Sequence, residues 1–176
     1  MTWLGVVWVL CGSVPVLAQE APEPVAEAAS DLSVSALAGV WSLDAAASDA
    51  PDALLKALGR SSMERAMARR IKKVTQTVSV GDGWIEVKNS NALRTETTRT
   101  LLGTPSEVSL MGQAMTLVAK VEGNAVVSTG TLALDGGDAA FVASRSLGDA
   151  DTMVLSFSLT PASGEAVKLR RVFRRQ

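Results

Sequence analysis

The stretch Leu37-Ala-Gly-Val-Trp-Ser-Leu43 alternates in a way that indicates a β-strand. The residues of one parity, which share a face in a strand, are Leu37, Gly39, Trp41 and Leu43. The face that carries Trp41 is therefore expected to point into an apolar interior. The elements predicted on either side of this strand decide what kind of interior it is.

A first short helix is predicted within residues 48–59. Ser48 or Asp49 is a candidate N-cap, because its side-chain oxygen can accept hydrogen bonds from the free N–H groups of the first turn. Pro51 suits that turn, and Gly59 suits the position just after the helix. The apolar residues expected on one face of this helix are Leu54, Leu55 and Leu58.

A second helix is predicted from Ser61, because Glu64 follows three residues later in the pattern of a capping box. Its expected apolar stripe consists of Met63, Ala66, Met67, Ile71 and Val74. Residues 60–73 hold six basic side chains against one acid. This segment is a candidate for transient contact with an anionic membrane surface, and a solvated basic face is the alternative.

From Val74 onward the apolar pattern has a period of two, interrupted by regularly spaced turn signals. These signals lie at residues 81–83, 89–91, 103–105, 112, 122–124, 135–138, 148–151 and 161–164. Short strands at this spacing predict an antiparallel sandwich or barrel, and the first strand brings the total to ten. The aspartates of the turns at 135–138 and 148–151 are expected to form turns rather than to bind a metal.

Two of the predicted strands carry an arginine on their apolar parity. Arg145 shares its face with Phe141, and Arg171 shares its face with Leu169 and Phe173. An unpaired guanidinium in an apolar interior costs several kcal/mol, and no acid lies on the same parity of either strand. Arg145 and Arg171 are therefore candidates for binding an anionic head group.

Apolar side chains on the inward parity of the predicted strands are candidates for the lining of a cavity. They are Met115, Leu117, Val121, Phe141, Met153, Leu155 and Phe157. A ten-stranded barrel is wider than an eight-stranded one, so its side chains alone need not fill it. A filled core is the alternative.

The N-terminal segment has the pattern of an export signal. Residues 3–17 are uncharged and mostly apolar, and the small residue Ala18 suits cleavage after position 18. An uncleaved membrane anchor is the alternative, since no Lys or Arg precedes the apolar run. Residues 19–36 are acidic and rich in Pro and Ala, which predicts a disordered tether before a single domain at 37–176. The expected location is exported, either periplasmic or secreted.

The composition excludes several classes of function. The chain has no His and no Tyr, and its single cysteine, Cys11, lies in the predicted signal. A Ser-His-Asp triad and a zinc site of His and Cys are therefore impossible. The balance of 17 basic and 18 acidic residues gives no support for nucleic-acid binding. We expect no cofactor, no metal and no catalysis, and an enzyme that uses carboxylates alone remains a weaker alternative.

The order of these motifs resembles the intracellular fatty-acid-binding family, within the calycin group that includes the lipocalins. The matching motifs are the opening stretch 37–43, the helices from Asp52, the hairpin Val78-Ser-Val-Gly-Asp-Gly-Trp-Ile85, Arg145-Ser-Leu147 and Arg171-Val-Phe-Arg174. The resemblance implies a mainly β fold: a ten-stranded antiparallel up-and-down β-barrel with a two-helix lid between its first and second strands. The lid residues would be Leu54, Leu55, Leu58, Met63 and Met67.

The resemblance also implies a function. In that family a late-strand arginine, with the arginine and tyrosine of the closing motif, holds the ligand carboxylate, and the matching positions are Arg145, Arg171 and Phe173. Phe173 departs from the pattern because it has no hydroxyl. The expected function is non-catalytic carriage of a fatty acid or a similar lipid anion. The alternative is a periplasmic lipocalin-like interaction or inhibitor protein with a filled core.

Calycins commonly place a basic residue of the last strand over the tryptophan of the first. Arg171, Arg174 and Arg175 are the candidates for this contact with Trp41. A cation–π contact of this kind is worth about 0.5–2 kcal/mol. It would give Arg171 a structural role instead of a ligand-binding one, but it would leave Arg145 unexplained.

Overall fold

The computed structural model describes residues 34–110, 113–162 and 164–176. The strands are β1 (Gly39–Asp44), β2 (Val74–Gly81), β3 (Trp84–Asn91), β4 (Thr95–Leu101), β5 (Pro105–Leu110), β6 (Gln113–Glu122), β7 (Ala125–Leu134), β8 (Gly137–Asp149), β9 (Thr152–Pro161) and β10 (Val167–Arg175). The helices α1 (Asp52–Ala57) and α2 (Ser62–Arg70) lie between β1 and β2. Neither helix has the length and apolar character needed to cross a membrane. The predicted export signal lies outside the described residues.

The ten strands form one antiparallel sheet that curls into a nearly closed barrel. Strands that are neighbours in the chain pair with each other except for β4 and β5, and β1 also pairs with β10. The sheet ends at β4 and β5. The Leu101 N–H on β4 donates to the Ser106 hydroxyl on β5 at 3.2 Å, and Leu102, just after β4, forms a bridge with Ala119 on β6. The predicted ten-stranded up-and-down barrel with two helices between its first two strands is confirmed.

Contacts between Trp41 on β1 and Arg175 on β10 stabilise the junction of these two strands. Trp41 is fully buried and donates its indole N–H to the carbonyl oxygen of Leu37 at 2.9 Å. The Arg175 guanidinium carbon lies 4.2 Å from the centre of the Trp41 ring. Of the three arginines considered for this position, Arg175 takes it, so Arg171 keeps its place on the inner face of β10.

The ordered fold begins before the boundary predicted at residue 37. Val34 is buried in the core. The guanidinium of Arg175 donates to the carbonyl oxygens of Ala36 at 2.8 Å and Ala38 at 3.1 Å. The last residues of the predicted tether therefore belong to the barrel, because their backbone supplies partners for the charge that caps Trp41. The rest of that tether lies outside the described residues.

The start of α1 differs from the predicted capping by Ser48 or Asp49. Pro51 occupies the N-cap position without a side-chain hydrogen bond. The Ser48 hydroxyl accepts from the Val172 N–H at 2.9 Å, and the Asp49 carboxylate accepts from the Arg170 N–H at 2.8 Å. The capping prediction is wrong because this segment runs along β10 and satisfies backbone groups of that strand first.

The ends of both helices otherwise follow the sequence. Gly59 has a positive φ of 72° just after α1, where the backbone must turn sharply. The N–H groups of Gly59 and Arg60 donate to the carbonyls of Lys56 and Leu55. At α2 the predicted capping box between Ser61 and Glu64 is present.

The apolar stripe predicted for the second helix is only partly right: α2 ends at Arg70, Val74 belongs to β2 and packs against the core, and the methionines of the stripe do not pack against the barrel. Met63 is 69% exposed and Met67 is 45% exposed, and α2 buries no residue. The helix is instead linked to α1 by ion pairs from Arg65 and Arg69 to Asp52, at 3.6 and 3.2 Å. Because α2 is held by ion pairs with α1 and buries no residue, the spacing of its methionines does not mark a packed face.

The turn predicted at residues 89–91 is wrong. Asn89 and Asn91 lie within β3 and pair with β2, and the chain reverses just after them. The Asn91 side chain accepts from the N–H groups of Leu93 and Arg94, which stabilises the β3–β4 turn. The association of asparagine with a turn is therefore correct, but the turn lies three residues further along the chain than predicted.

Candidate functional site

A cavity of about 340 Å³ lies inside the barrel. Its wall comes from nine strands, so it spans the interior and is not confined to one side. The residues of this wall include Gln76, Asn89, Glu96, Thr98, Thr100, Met115, Leu117, Phe141, Arg145, Leu155, Phe157, Leu169, Arg171 and Phe173. This volume falls in the range of small-molecule sites, and it does not favour the alternative of a filled core.

Most of the apolar residues predicted to line a cavity lie at its wall. The five that do are Met115, Leu117, Phe141, Leu155 and Phe157. Met153 is fully buried in the core, where it pairs across strands with Phe173. Val121 pairs with Val126, which lines the cavity, and Val121 itself packs against the core. These two residues are therefore core residues beside the cavity and not part of its wall.

Arg145 is enclosed by the barrel and has only neutral partners. Its Nη1 donates to Oε1 of Gln76 at 2.6 Å and lies 3.3 Å from the Met153 sulfur. Burial lowers the pKa of Arg145 to about 10, and no carboxylate among the described residues offsets this effect. The Arg145 charge inside the barrel is therefore stabilised by one amide oxygen, from Gln76, and by any molecule that occupies the cavity.

Arg171 also faces the cavity, but its charge is less isolated. Burial lowers the pKa of Arg171, and attraction to the Asp49 carboxylate partly offsets that shift. The Nε atom of Arg171 is buried and has no hydrogen-bond partner among the described residues. An oxygen atom of a bound molecule could satisfy this donor.

The two arginines lie on one row across the sheet. Arg145 and Arg171 are both paired with Leu155, so their Cα atoms are two strand spacings, about 10 Å, apart on the same face. Phe173 lies next to Arg171 on the inner face of β10 and is 2% exposed. All three residues predicted for a head-group site are thus at the cavity wall, with a phenyl ring at the third position.

Gln76 and Asn89 are site residues that the sequence reasoning missed. Gln76 is buried, accepts from Arg145, and donates its Nε2 to Oδ1 of Asn89 at 2.7 Å. The signal was present, because Gln76 stands on the apolar parity of β2 between Val74 and Val78. Gln76 therefore shares with Arg145 the feature of a polar side chain on the apolar parity of its strand.

The residues predicted for a lid separate into two groups. Leu54, Leu55 and Leu58 are buried, and α1 packs against β10. Met63 and Met67 face solvent together with most of α2. Several basic residues of the segment 60–73 are ion-paired with acids, and contact of this segment with a membrane remains a prediction.

The described residues contain no group of His, Cys, Asp or Glu suited to hold a metal ion. The aspartates suspected of forming turns behave accordingly at the β8–β9 connection. There the Asp149 carboxylate accepts from the N–H of Asp151 at 2.9 Å. This geometry is that of a turn-forming side chain.

Comparisons with known proteins bear on the fold. No protein-family model matches the chain, and no curated protein matches it by sequence. Among solved structures, one described as a REP1-NXSQ fatty acid transporter has a TM-score of 0.68 at 22% identity, covering 80% of this chain and 96% of its own. Lipid binding protein 8 of Caenorhabditis elegans has a TM-score of 0.66 at 13% identity, covering 80% and 96%.

A third similar structure is a fatty acid binding protein of Schistosoma mansoni in complex with arachidonic acid. Its TM-score is 0.65 at 20% identity, and the match covers 82% of this chain and 98% of that one. Likeness at this level of identity establishes the fold rather than the ligand. The chain therefore has the barrel fold of the fatty-acid-binding proteins.

Proposed function

We propose that this protein is a non-catalytic carrier that holds a lipid anion inside its barrel. The observation that carries the proposal is the enclosed guanidinium of Arg145, which faces the cavity without a carboxylate partner. A buried unpaired charge is costly, so its retention is most simply explained by a ligand that compensates it. The similar structures named above as fatty acid or lipid binding proteins support the same ligand class.

The apolar side chains and the arginines of the cavity wall contribute to binding in different ways. Burial of the ligand's apolar body against side chains such as Leu117 and Phe157 supplies most of the affinity, at about 25 cal/mol per Å². Arg145 and Arg171 orient the head group, and a hydrogen bond to a charged group contributes about 1.5–3 kcal/mol. Because Phe173 has no hydroxyl, the head group relies on the arginines and Gln76.

The cavity offers little for chemistry. Among the described residues that line it, Glu96 is the one carboxylate, and it forms an ion pair with Arg94 at 3.2 Å. A carboxylate held by an arginine is a weak general base. Carriage without reaction therefore accounts for the site better than carboxylate-based catalysis does.

The proposal is tested by displacement of a fluorescent fatty acid from the purified protein. We expect a long-chain fatty acid to compete at micromolar concentrations. Arg145→Ala should weaken its binding about 10- to 150-fold, the equivalent of one charge-assisted hydrogen bond. Lys168→Ala is the matched control, because Lys168 is exposed on the outer face of β10 and its loss changes the net charge equally.

The control separates a site effect from a general effect of charge. Lys168→Ala should bind as the unchanged protein does. If no long-chain anion binds to the folded protein, or if both variants lose the same affinity, the carrier proposal is wrong.

A further inference from the structure

The inner face of β4 is polar along its whole length. Its inward residues Glu96, Thr98 and Thr100 all line the cavity. A strand with one face on an apolar interior normally alternates between apolar and polar residues. The outward residues Thr95, Thr97 and Arg99 follow that pattern, whereas the inward residues break it because all three are polar. The part of the cavity wall that β4 supplies is therefore not an alkane-like surface.

The polar surface extends from β4 across two strands to Arg145. Glu96 is paired with Asn89 on β3, and Asn89 is paired with Gln76 on β2. Hydrogen bonds continue the row from Gln76 to Asn89 at 2.7 Å and from Arg145 to Gln76 at 2.6 Å. Polar groups thus lead without interruption from the buried guanidinium to the edge strand of the sheet.

Most of the remaining cavity wall is apolar. The apolar residues of β6, β8, β9 and β10 at this wall are Met115, Leu117, Phe141, Leu155, Phe157 and Leu169. Phe141 and Phe157 contact each other with their ring centres 6.0 Å apart. Apolar wall residues also lie on β2, β3 and β5: Val74, Ile85, Val87, Val108 and Leu110. The polar side chains of Gln76, Asn89, Glu96, Thr98 and Thr100 therefore form a polar stripe within a mostly apolar wall.

We infer that the ligand is a hydroxylated lipid anion, with hydroxyl groups along one side of its apolar body. The inference rests on the proposed function and narrows its ligand class. An unsubstituted alkyl chain would place methylene groups against Thr98, Thr100 and Asn89 and would deprive them of water without replacing its hydrogen bonds. Ligand hydroxyls would replace those hydrogen bonds, while the opposite face of the ligand packs against the phenylalanines.

The test compares ligands that differ only in their hydroxyl groups. Stearate is paired with 12-hydroxystearate, and cholanate is paired with cholate, each competing for the same fluorescent fatty acid. The members of a pair share a carbon skeleton and a carboxylate, so Arg145 treats them alike. We expect the hydroxylated member of at least one pair to bind at least about five-fold tighter. A uniformly apolar cavity predicts the opposite order, because burying an unpaired hydroxyl is costly.

A matched pair of variants assigns the preference to β4. Thr98→Val removes a cavity-facing hydroxyl with little change in shape and should bring the affinity ratio of the preferred pair close to one. Thr97→Val makes the same substitution on the exposed face of the same strand and should leave the ratio unchanged. Thr100→Val serves in place of Thr98→Val if circular dichroism shows that the latter is unfolded.

The outcomes separate this inference from the proposed function. If stearate and cholanate bind as tightly as their hydroxylated partners or tighter, the polar stripe is occupied by water and the inference is overturned, while the carrier function stands. A hydroxyl preference that survives Thr98→Val would also overturn it. If no member of either pair binds to the folded protein, the carrier function fails and the inference fails with it.

Discussion

Arg145 is a residue whose physical cost and proposed benefit can be measured separately. Its guanidinium has a neutral amide partner, and burial lowers its pKa to about 10. We expect Arg145→Leu to raise the free energy of unfolding of the ligand-free protein by about 1–3 kcal/mol, because an unpaired buried charge is replaced by an apolar side chain. Urea denaturation monitored by tryptophan fluorescence measures this change.

Arg175→Leu is the control, because replacing Arg175 is expected to lower the stability of the protein instead of raising it. Arg175→Leu would lose the contact with Trp41 and the hydrogen bonds to Ala36, Ala38 and Ala150, so it should lower stability by about 2–4 kcal/mol. A loss of stability in Arg145→Leu as large as that in Arg175→Leu would assign Arg145 a structural role.

At the scale of elements, the sequence predicts best the segments that bury one face. The strands were found because a residue such as Trp41 or Phe141 must point inward, and this imposes a period of two. The stripe of α2 failed because that helix buries nothing, so the positions of Met63 and Met67 carry no information on packing. The partner of Arg145 was missed for another reason: sequence parity places Gln76 inside but does not show which strands face each other.

The order of α2 should depend on its ends, because it is short and buries no residue. Ser61→Ala removes the side chain that accepts from the Glu64 N–H at 3.3 Å, and half of the capping box is lost with it. We expect amide hydrogen exchange in α2 to accelerate about 5- to 30-fold, corresponding to 1–2 kcal/mol, while exchange in the barrel strands is unchanged. Mass spectrometry of deuterated fragments measures both.

Ser62→Ala is the control for this experiment, since Ser62 is the exposed neighbour and the capping box does not include its side chain. It should leave exchange in α2 as it is. Equal acceleration in the two variants, or none in Ser61→Ala, would show that contacts with α1 hold α2 in place.

At the scale of the whole molecule, the two classes of function considered from the sequence make different thermal predictions. A carrier binds its ligand in the native barrel only, so a ligand at 100 times its dissociation constant stabilises the fold by about 2.7 kcal/mol. For a protein of this size that corresponds to a rise in Tm of about 5–10 °C. An interaction protein with an external binding surface gains nothing from a lipid anion, and its Tm should not move.

The expected rise in Tm depends on binding inside the barrel, where Arg145 lies. It should be smaller for Arg145→Leu at the same ligand concentration, even though that variant is expected to be the more stable one when empty. Calorimetry of the two proteins with and without ligand checks both statements together. If the ligand raises the Tm of both proteins equally, the head group does not bind at the row of Arg145 and Arg171. Binding at that row would depend on the charge of Arg145 and would be weaker in Arg145→Leu.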